Sequence, residues 1–241
     1  MNLREEFKQA SGRDVRILII DSGVDSDHPD LAGHEIGHFK VKHAAGFGTF
    51  ISEYEGGDKF GHGTAVAYIL KQFSPDSRVD SLQVLNENLR TKSEDVVAAM
   101  KWGIQQGYDI LNCSFGATSK KNISAFKDVL DMAFCKNTWV VSACNNSDFR
   151  IHEYPGSFPI TLSTDYASLD DMYIKRRSGH LVEFVTNGVD IRVPWKDHRH
   201  RTVTGSSFAA PQFAAIAARL RQLHPDWNMI QAKSALYQLS E

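Results

Sequence analysis

Four short runs rich in valine, isoleucine and leucine most constrain how this chain can fold. They are VRILII at 15–20, VDSLQVL at 79–85, DILNCSF at 109–115 and TWVVSA at 138–143. Because these runs carry apolar residues without a regular polar alternation, they predict strands that are buried on both faces, as strands of parallel sheets are.

Two segments with the length and periodicity of helices lie between these runs. The segment at 93–107 opens on Ser93, a residue typical of helix caps, and the segment at 122–137 opens on Asn122. Strands that alternate with helices predict an α/β protein of three layers, in which helices cover both faces of a mostly parallel, twisted sheet. Functional groups in such folds usually lie at the carboxyl ends of strands.

Length and composition predict one domain, residues 1–241, with residues 1–14 as an N-terminal extension before the first strand. A chain of 241 residues is long enough for one large buried core, and it shows no internal repeat or linker. The formal net charge of −2 gives no overall bias toward nucleic acid or anionic membranes. We therefore expect neither kind of partner.

The cysteines and the N-terminus favour a cytoplasmic protein. Three cysteines cannot all pair with one another, and each lies in or beside an apolar run, so reduced thiols are expected. The first residues mix charges and lack the apolar core of a secretory signal, although a chain trimmed of a leader would look the same. No apolar stretch is long enough to span a membrane.

Three polar motifs lie where catalytic groups are usual. Asp21 ends the first apolar run in IIDSGVDSDHPDL, His62 is flanked by glycines in FGHGTAVAYIL, and Ser207 begins an alanine-rich helical pattern in TGSSFAAPQF. Each alone has an ordinary explanation, such as an Asx turn or a helix-capping serine. A serine at a helix N-terminus is, however, surrounded by unpaired backbone N–H groups, which suit an attacking oxygen and a developing oxyanion.

Together, and in this order, the three motifs resemble those of the subtilisin-like serine peptidases, the subtilases. DSGVDSDHPDL is similar to the aspartate motif of that family, GHGTAVA to its histidine motif and GSSFAAP to its serine motif. The resemblance extends from Val15 to Leu239, because LNCSFG is similar to the substrate-binding strand and HPDWNMIQAKSALYQL to the closing helix. It implies a subtilisin-like fold and a serine endopeptidase that works through an acyl-enzyme.

The resemblance also implies a role for each catalytic residue. Ser207 is the nucleophile, His62 the base that takes its proton, and Asp21 the carboxylate that orients the imidazole and stabilises its charged form. The family places an oxyanion asparagine after the strand that VVSACNNSD matches, which is Asn145 here. Asn146 takes this role if the alignment shifts by one residue. This chemistry needs no cofactor.

A polypeptide substrate is implied, bound as an extended strand against Ser114, Phe115 and Gly116. Glu153 immediately precedes a YPG segment that resembles the family's strand beneath the pocket for the P1 residue. A carboxylate in that pocket favours lysine or arginine at P1. The alternative is a glutamate that faces solvent, because the loop at 145–153 is short.

The string HEIGH at 34–38 also matches a motif of zinc metallopeptidases, and we interpret it as a chance match. Those enzymes present both histidines, here His34 and His38, one turn apart on a long helix that also carries Glu35, with a third ligand downstream. Gly37 weakens such a helix, and Ala44 occupies the position of the third histidine. No metal site is expected in this segment.

Two further expectations concern a possible calcium ligand and a basic stretch of the chain. Asp30, in HPDL, matches one calcium ligand of the family but lacks the several other oxygen ligands that calcium needs, so no high-affinity calcium site is expected. The basic stretch at 196–201 is more typical of a solvated loop, with contact to an acidic part of the substrate as the alternative.

The alternative function is a catalytically inactive module that binds peptides. Such a module has no need of an intact triad.

Overall fold

The order of strands in the sheet explains how distant motifs meet. The computed structural model describes residues 3–44, 46 and 48–240. The strands in this part of the chain are β1 (Arg16–Asp21), β2 (Ile36–Ala44), β3 (Gly48–Glu53), β4 (Arg78–Gln83), β5 (Ile110–Cys113), β6 (Trp139–Ala143), β7 (Leu162–Ala167), β8 (Lys175–Arg176), β9 (Phe184–Asn187), β10 (Ile191–Trp195) and β11 (Arg199–Val203). The helices of eight or more residues are α2 (His62–Phe73), α3 (Ser93–Gln105), α4 (Ile123–Cys135), α5 (Ser206–Leu223) and α6 (Met229–Leu239), preceded by the short α1 (Leu3–Gln9).

Nine of these strands form one sheet in the order β3-β2-β4-β1-β5-β6-β7-β9-β8. The pairs from β2 to β9 are parallel, and only the edge strands β3 and β8 run antiparallel to their neighbours. Strands β10 and β11 form a separate antiparallel hairpin. The carboxyl ends of β1, β5 and β6 therefore meet at one edge of the sheet.

Strand β1 shows why the apolar runs are continuous. Ile17 and Ile19 point into a core cluster that includes residues of α2, α5 and α6, whereas Leu18 and Ile20 point into a second cluster with residues of α3 and α4. All four side chains are completely buried. Successive strand residues face opposite sides, so a strand between two helical layers must be apolar at every position. The predicted three-layer α/β fold with a mostly parallel sheet is confirmed.

The HEIGH segment does not form the helix that a zinc peptidase requires. Its last three residues, from Ile36 to His38, are the start of β2, which pairs with β4. The side chains of His34 and His38 therefore do not lie one helical turn apart. His38 instead shares a hydrogen bond with Ser26 Oγ at 3.1 Å. In the residues that the structure covers, no helix is both long enough and apolar enough to cross a bilayer.

Candidate active site

Asp21 is the last residue of β1, at the carboxyl edge of the sheet. Its side chain is fully buried, and Oδ1 accepts hydrogen bonds from the backbone N–H of Ser22 and from Nδ1 of His62, each at 2.7 Å. The backbone carbonyl of Asp21 accepts from the N–H groups of Val84 and Leu85, after β4. Because Oδ1 of Asp21 is the acceptor in this contact, Nδ1 of His62 carries a proton, and Nε2 is an acceptor whenever the ring is neutral.

His62 is the first residue of α2, which a tight turn brings close to β1. Asp58 caps this helix by accepting hydrogen bonds from three backbone N–H groups, those of Phe60, Gly61 and Thr64. A Cβ atom at Gly63 would overlap with the carbonyl oxygen of Gly23, two residues after Asp21. Only glycine at position 63 therefore lets the helix approach the aspartate closely enough for the His62 contact.

The environment of His62 favours its protonated form. Burial by itself lowers the pKa of the imidazole, because the protein interior solvates a charged ring poorly. The charge of Asp21, its hydrogen bond to the ring and the charge of Asp58 outweigh burial, so the pKa of His62 is raised above its ordinary value. The same contacts would stabilise the imidazolium that forms when a histidine acts as a base.

Ser207 is the second residue of α5, a helix that is buried along most of its length and packs against α2. The ring of Phe208, the next residue, lies 5.2 Å from the ring of His62. Among the described residues, no hydrogen bond joins Ser207 to His62. Such contacts are often long in enzymes without bound substrate. The structure thus joins Asp21 to His62 directly and places the first turn of α5, which carries Ser207, against His62 through the neighbouring Phe208.

The two asparagines after β6 point to different partners. Asn145 donates from Nδ2 to Oε1 of Glu153 at 2.7 Å. Asn146 accepts through Oδ1 from the backbone N–H of Ser206 at 2.8 Å, and its carboxamide lies against Gly205. This hydrogen bond fixes the orientation of the Asn146 amide, so its NH₂ group is available for a further acceptor beside the serine turn. The geometry favours Asn146 as the oxyanion donor, the one-residue shift that the sequence left open.

The predicted substrate-binding segment lies beside β5. Ser114 is buried and its Oγ accepts from Asn112, whereas Gly116 is exposed and Phe115 is half-buried against the second core cluster. Ala117 then forms an isolated antiparallel bridge with Tyr154.

The bridge between Ala117 and Tyr154 brings Gly116 to Glu153. A Cβ atom at Gly116 would lie 2.5 Å from the Glu153 Cβ atom and 2.5 Å from its Oε2. Glu153 is only partly exposed and so does not extend freely into solvent, which was the alternative for this residue.

Asp30 and the basic stretch at 196–201 meet on the surface beside the site. The stretch forms the tip of the β10–β11 hairpin and its side chains are exposed. His200 hydrogen bonds from Nε2 to Oδ2 of Asp30 at 2.8 Å. Asp30, the single match to a calcium ligand, is thus paired with an imidazole.

The sequence motifs do not point to two residues of this site, Asp58 and Ser206. Asp58 organises the helix start that carries His62, and an aspartate shortly before an apolar helical pattern is a signal that could have identified it. Ser206 holds Asn146 through its backbone N–H and donates from Oγ to the carbonyl of Cys144 at 2.6 Å. No signal in the sequence distinguishes this role from that of an ordinary turn residue.

Replacing Asn146 by alanine is expected to lower kcat for peptide hydrolysis by about 10²- to 10³-fold, the usual cost of losing one oxyanion donor. Steady-state kinetics on peptides that differ at P1, with Asn145→Ala as the matched neighbour, measure this effect. The assignment fails if Asn145→Ala shows the larger loss of kcat on every substrate, because the oxyanion donor would then be Asn145.

Comparisons with known proteins match most of the chain. The family model described as "Peptidase_S8: Subtilase family" matches residues 12–240. Subtilisin amylosacchariticus from Bacillus subtilis subsp. amylosacchariticus is 26% identical over 241 residues, which cover 94% of this chain and 60% of that protein. Subtilisin from Bacillus pumilus is 25% identical, with 94% and 83% covered. The chain thus spans about 60% of the length of the first of these relatives.

Solved structures show the same fold. A cold adapted subtilisin-like serine proteinase superimposes with a TM-score of 0.76 at 22% identity, covering 93% of this chain and 81% of that one. Sphericase superimposes with a TM-score of 0.77 at 22% identity, covering 94% and 83%. The expected architecture therefore holds over nearly the whole chain.

Proposed function

Because this chain belongs to the subtilase family of serine peptidases, we propose that it is a serine endopeptidase whose triad is Asp21, His62 and Ser207. One observation carries the proposal: a buried carboxylate and imidazole, joined at 2.7 Å, lie beside the helix N-terminus that bears Ser207. A serine with only a structural role would need neither the imidazole nor the carboxylate.

The geometry supports an ordinary acyl transfer. Ser207 Oγ attacks the carbonyl carbon of the scissile bond while Nε2 of His62 accepts its proton, and Asp21 stabilises the imidazolium. The tetrahedral oxyanion accepts hydrogen bonds from the Ser207 N–H and the Asn146 amide. His62 then protonates the leaving amine, and a water activated by the same imidazole hydrolyses the acyl-enzyme.

The substrate of this proposal is a polypeptide bound as an extended strand along residues 114–116. Backbone groups of such a segment recognise any sequence, so selectivity must come from side-chain pockets. Glu153 lies against Gly116, at one end of this segment. A partly exposed carboxylate there would pair with a lysine or arginine side chain at P1.

Replacing Glu153 by glutamine is expected to lower kcat/KM for peptides with lysine or arginine at P1 by about tenfold or more, because the charge-assisted pair is lost. Peptides with leucine or phenylalanine at P1 should be affected little. A peptide library cleaved by both forms measures the change. Wild-type cleavage after leucine or phenylalanine, but not after basic residues, would remove Glu153 from this role.

We also propose that the peptidase is cytoplasmic and processes a peptide or protein precursor. All three cysteines are free thiols, and Cys135 is exposed, which suits a reducing compartment. A charged pocket suits selective cleavage better than general digestion. Cell fractionation with an antibody tests the location, and recovery of the protein outside the cell would refute it.

Covalent labelling by a fluorophosphonate tests the catalytic proposal most directly. We expect labelling of the wild-type protein, none of Ser207→Ala, and labelling at Ser207 in Ser206→Ala, with the site identified by peptide mass mapping. Activity that a chelator abolishes but a fluorophosphonate leaves unchanged would refute a serine mechanism. Peptide binding without labelling or turnover would instead identify an inactive binding module.

A further inference from the structure

The carboxamide of Asn145 is held in place by three hydrogen bonds within the protein. Its Oδ1 accepts hydrogen bonds from the backbone N–H groups of Ser147 at 2.9 Å and Asp148 at 3.1 Å. Its Nδ2 donates to Oε1 of Glu153 at 2.7 Å. The loop after β6 thus fixes Asn145, and Asn145 in turn fixes one oxygen of the glutamate.

The other oxygen of Glu153 has a different environment. Within the part of the chain that the structure describes, Oε2 accepts no hydrogen bond. It lies close to the backbone of Gly116, where a Cβ atom would be only 2.5 Å away. The carboxylate therefore offers a substrate one free oxygen, at the edge of the segment proposed to bind the peptide.

A single free oxygen changes which basic side chain gains most. Arginine owes its advantage at carboxylates to two parallel N–H···O bonds, which need both oxygens. Lysine carries a compact point charge that one oxygen can serve. Because Nδ2 of Asn145 already donates to Oε1, a guanidinium group must share that oxygen to make its second bond, whereas an ammonium group needs only Oε2.

We propose that Asn145 is a positioning residue for specificity, whose hydrogen bond to Glu153 makes the P1 pocket select lysine over arginine. This inference rests on the proposed function, because a P1 residue exists only if the chain cleaves peptides. It also gives the two adjacent asparagines separate tasks: Asn146 stabilises the oxyanion, and Asn145 shapes the pocket.

The test compares kcat/KM for two peptides that differ only in having lysine or arginine at P1. Wild-type protein should prefer the lysine peptide by about threefold or more, and Asn145→Ala should shift this ratio about threefold or more toward arginine by removing the competing donor from Oε1. Asn145→Ser serves if the alanine variant folds poorly. Asn146→Ala is the matched control, since it should slow both peptides equally and leave the ratio unchanged.

A wild-type preference for arginine, or an unchanged ratio in both Asn145 variants, would overturn this inference while leaving the peptidase intact. Cleavage confined to apolar P1 residues would overturn it together with the role of Glu153. Failure of the proposed function looks different, because Ser207 would then take up no fluorophosphonate and neither peptide would be hydrolysed.

Discussion

Replacing Ser207 by alanine is expected to lower kcat for peptide hydrolysis by about 10⁶-fold, the order found when the nucleophile of a serine-peptidase triad is removed. The Oγ atom provides the bond that becomes the acyl-enzyme, and neither His62 nor Asn146 can replace it. Among the described residues, Ser207 Oγ makes no hydrogen bond that supports the fold. The loss should therefore concern activity and not the free energy of unfolding.

Steady-state kinetics and thermal unfolding of the same preparation separate these two quantities. Ser206→Ala is the matched control, because it deletes the neighbouring hydroxyl, which donates to the Cys144 carbonyl. That variant should lose about 1 kcal/mol of free energy of unfolding, and its Ser207 should still react with the fluorophosphonate. Turnover by Ser207→Ala that approaches the wild-type rate would show that another residue is the nucleophile.

Replacing Asp21 by asparagine is expected to lower kcat by about 10⁴-fold at neutral pH while preserving the shape of the site. An amide that presents its NH₂ group to Nδ1 of His62 would hold the ring in the wrong tautomer, with the proton on Nε2. The base could then no longer accept the proton of Ser207.

The Asp21→Asn substitution should also change how kcat/KM depends on pH. His62 works as a base only when neutral, so kcat/KM falls as the pH drops through its pKa. The charge of Asp21 raises that pKa, and removing the charge should lower it. The acid limb of the residual activity should therefore move to lower pH.

A pH profile of kcat/KM measures this shift, with Asp25→Asn as the control. Asp25 is a partly exposed carboxylate in the loop that follows β1, and its Oδ2 lies 3.6 Å from Nε2 of His198. Its replacement should change kcat by about twofold at most, since a surface ion pair contributes little. Near-normal activity in Asp21→Asn would mean that the aspartate is only a structural support for the turn.

The four central strands β1, β4, β5 and β6 could be predicted, and the candidate residues Asp21 and His62 could be named, because both depend on local sequence. Strand β1 must be apolar on both faces wherever helices cover both faces of the sheet, so the run at 15–20 identifies it within one residue. Asp21 and His62 are recognisable because each lies in a string that its own backbone turn requires. The glycine at 63 is an example, since no other residue fits beside Gly23.

The sequence alone could not decide which of the two asparagines lies beside the serine turn, because that depends on distant residues. Asn145 and Asn146 are chemically identical neighbours, and only the path of the backbone after β6 decides which one faces the serine turn. That path is set by Glu153 and Ser206, which lie far from each other in the chain. Strand β2, which begins within HEIGH, could not be predicted from local sequence either, because it is stabilised by pairing with β4.

The proposed nucleophile, Ser207, is carried by helix α5, whose side chains from Phe208 to Ala218 are buried in the centre of the protein. A peptidase at high concentration can cleave other copies of itself at segments that have unfolded locally. A segment so deeply enclosed is released only when the whole domain opens. Self-digestion should therefore begin at exposed loops, and a nicked molecule should keep working for as long as its central helix stays enclosed.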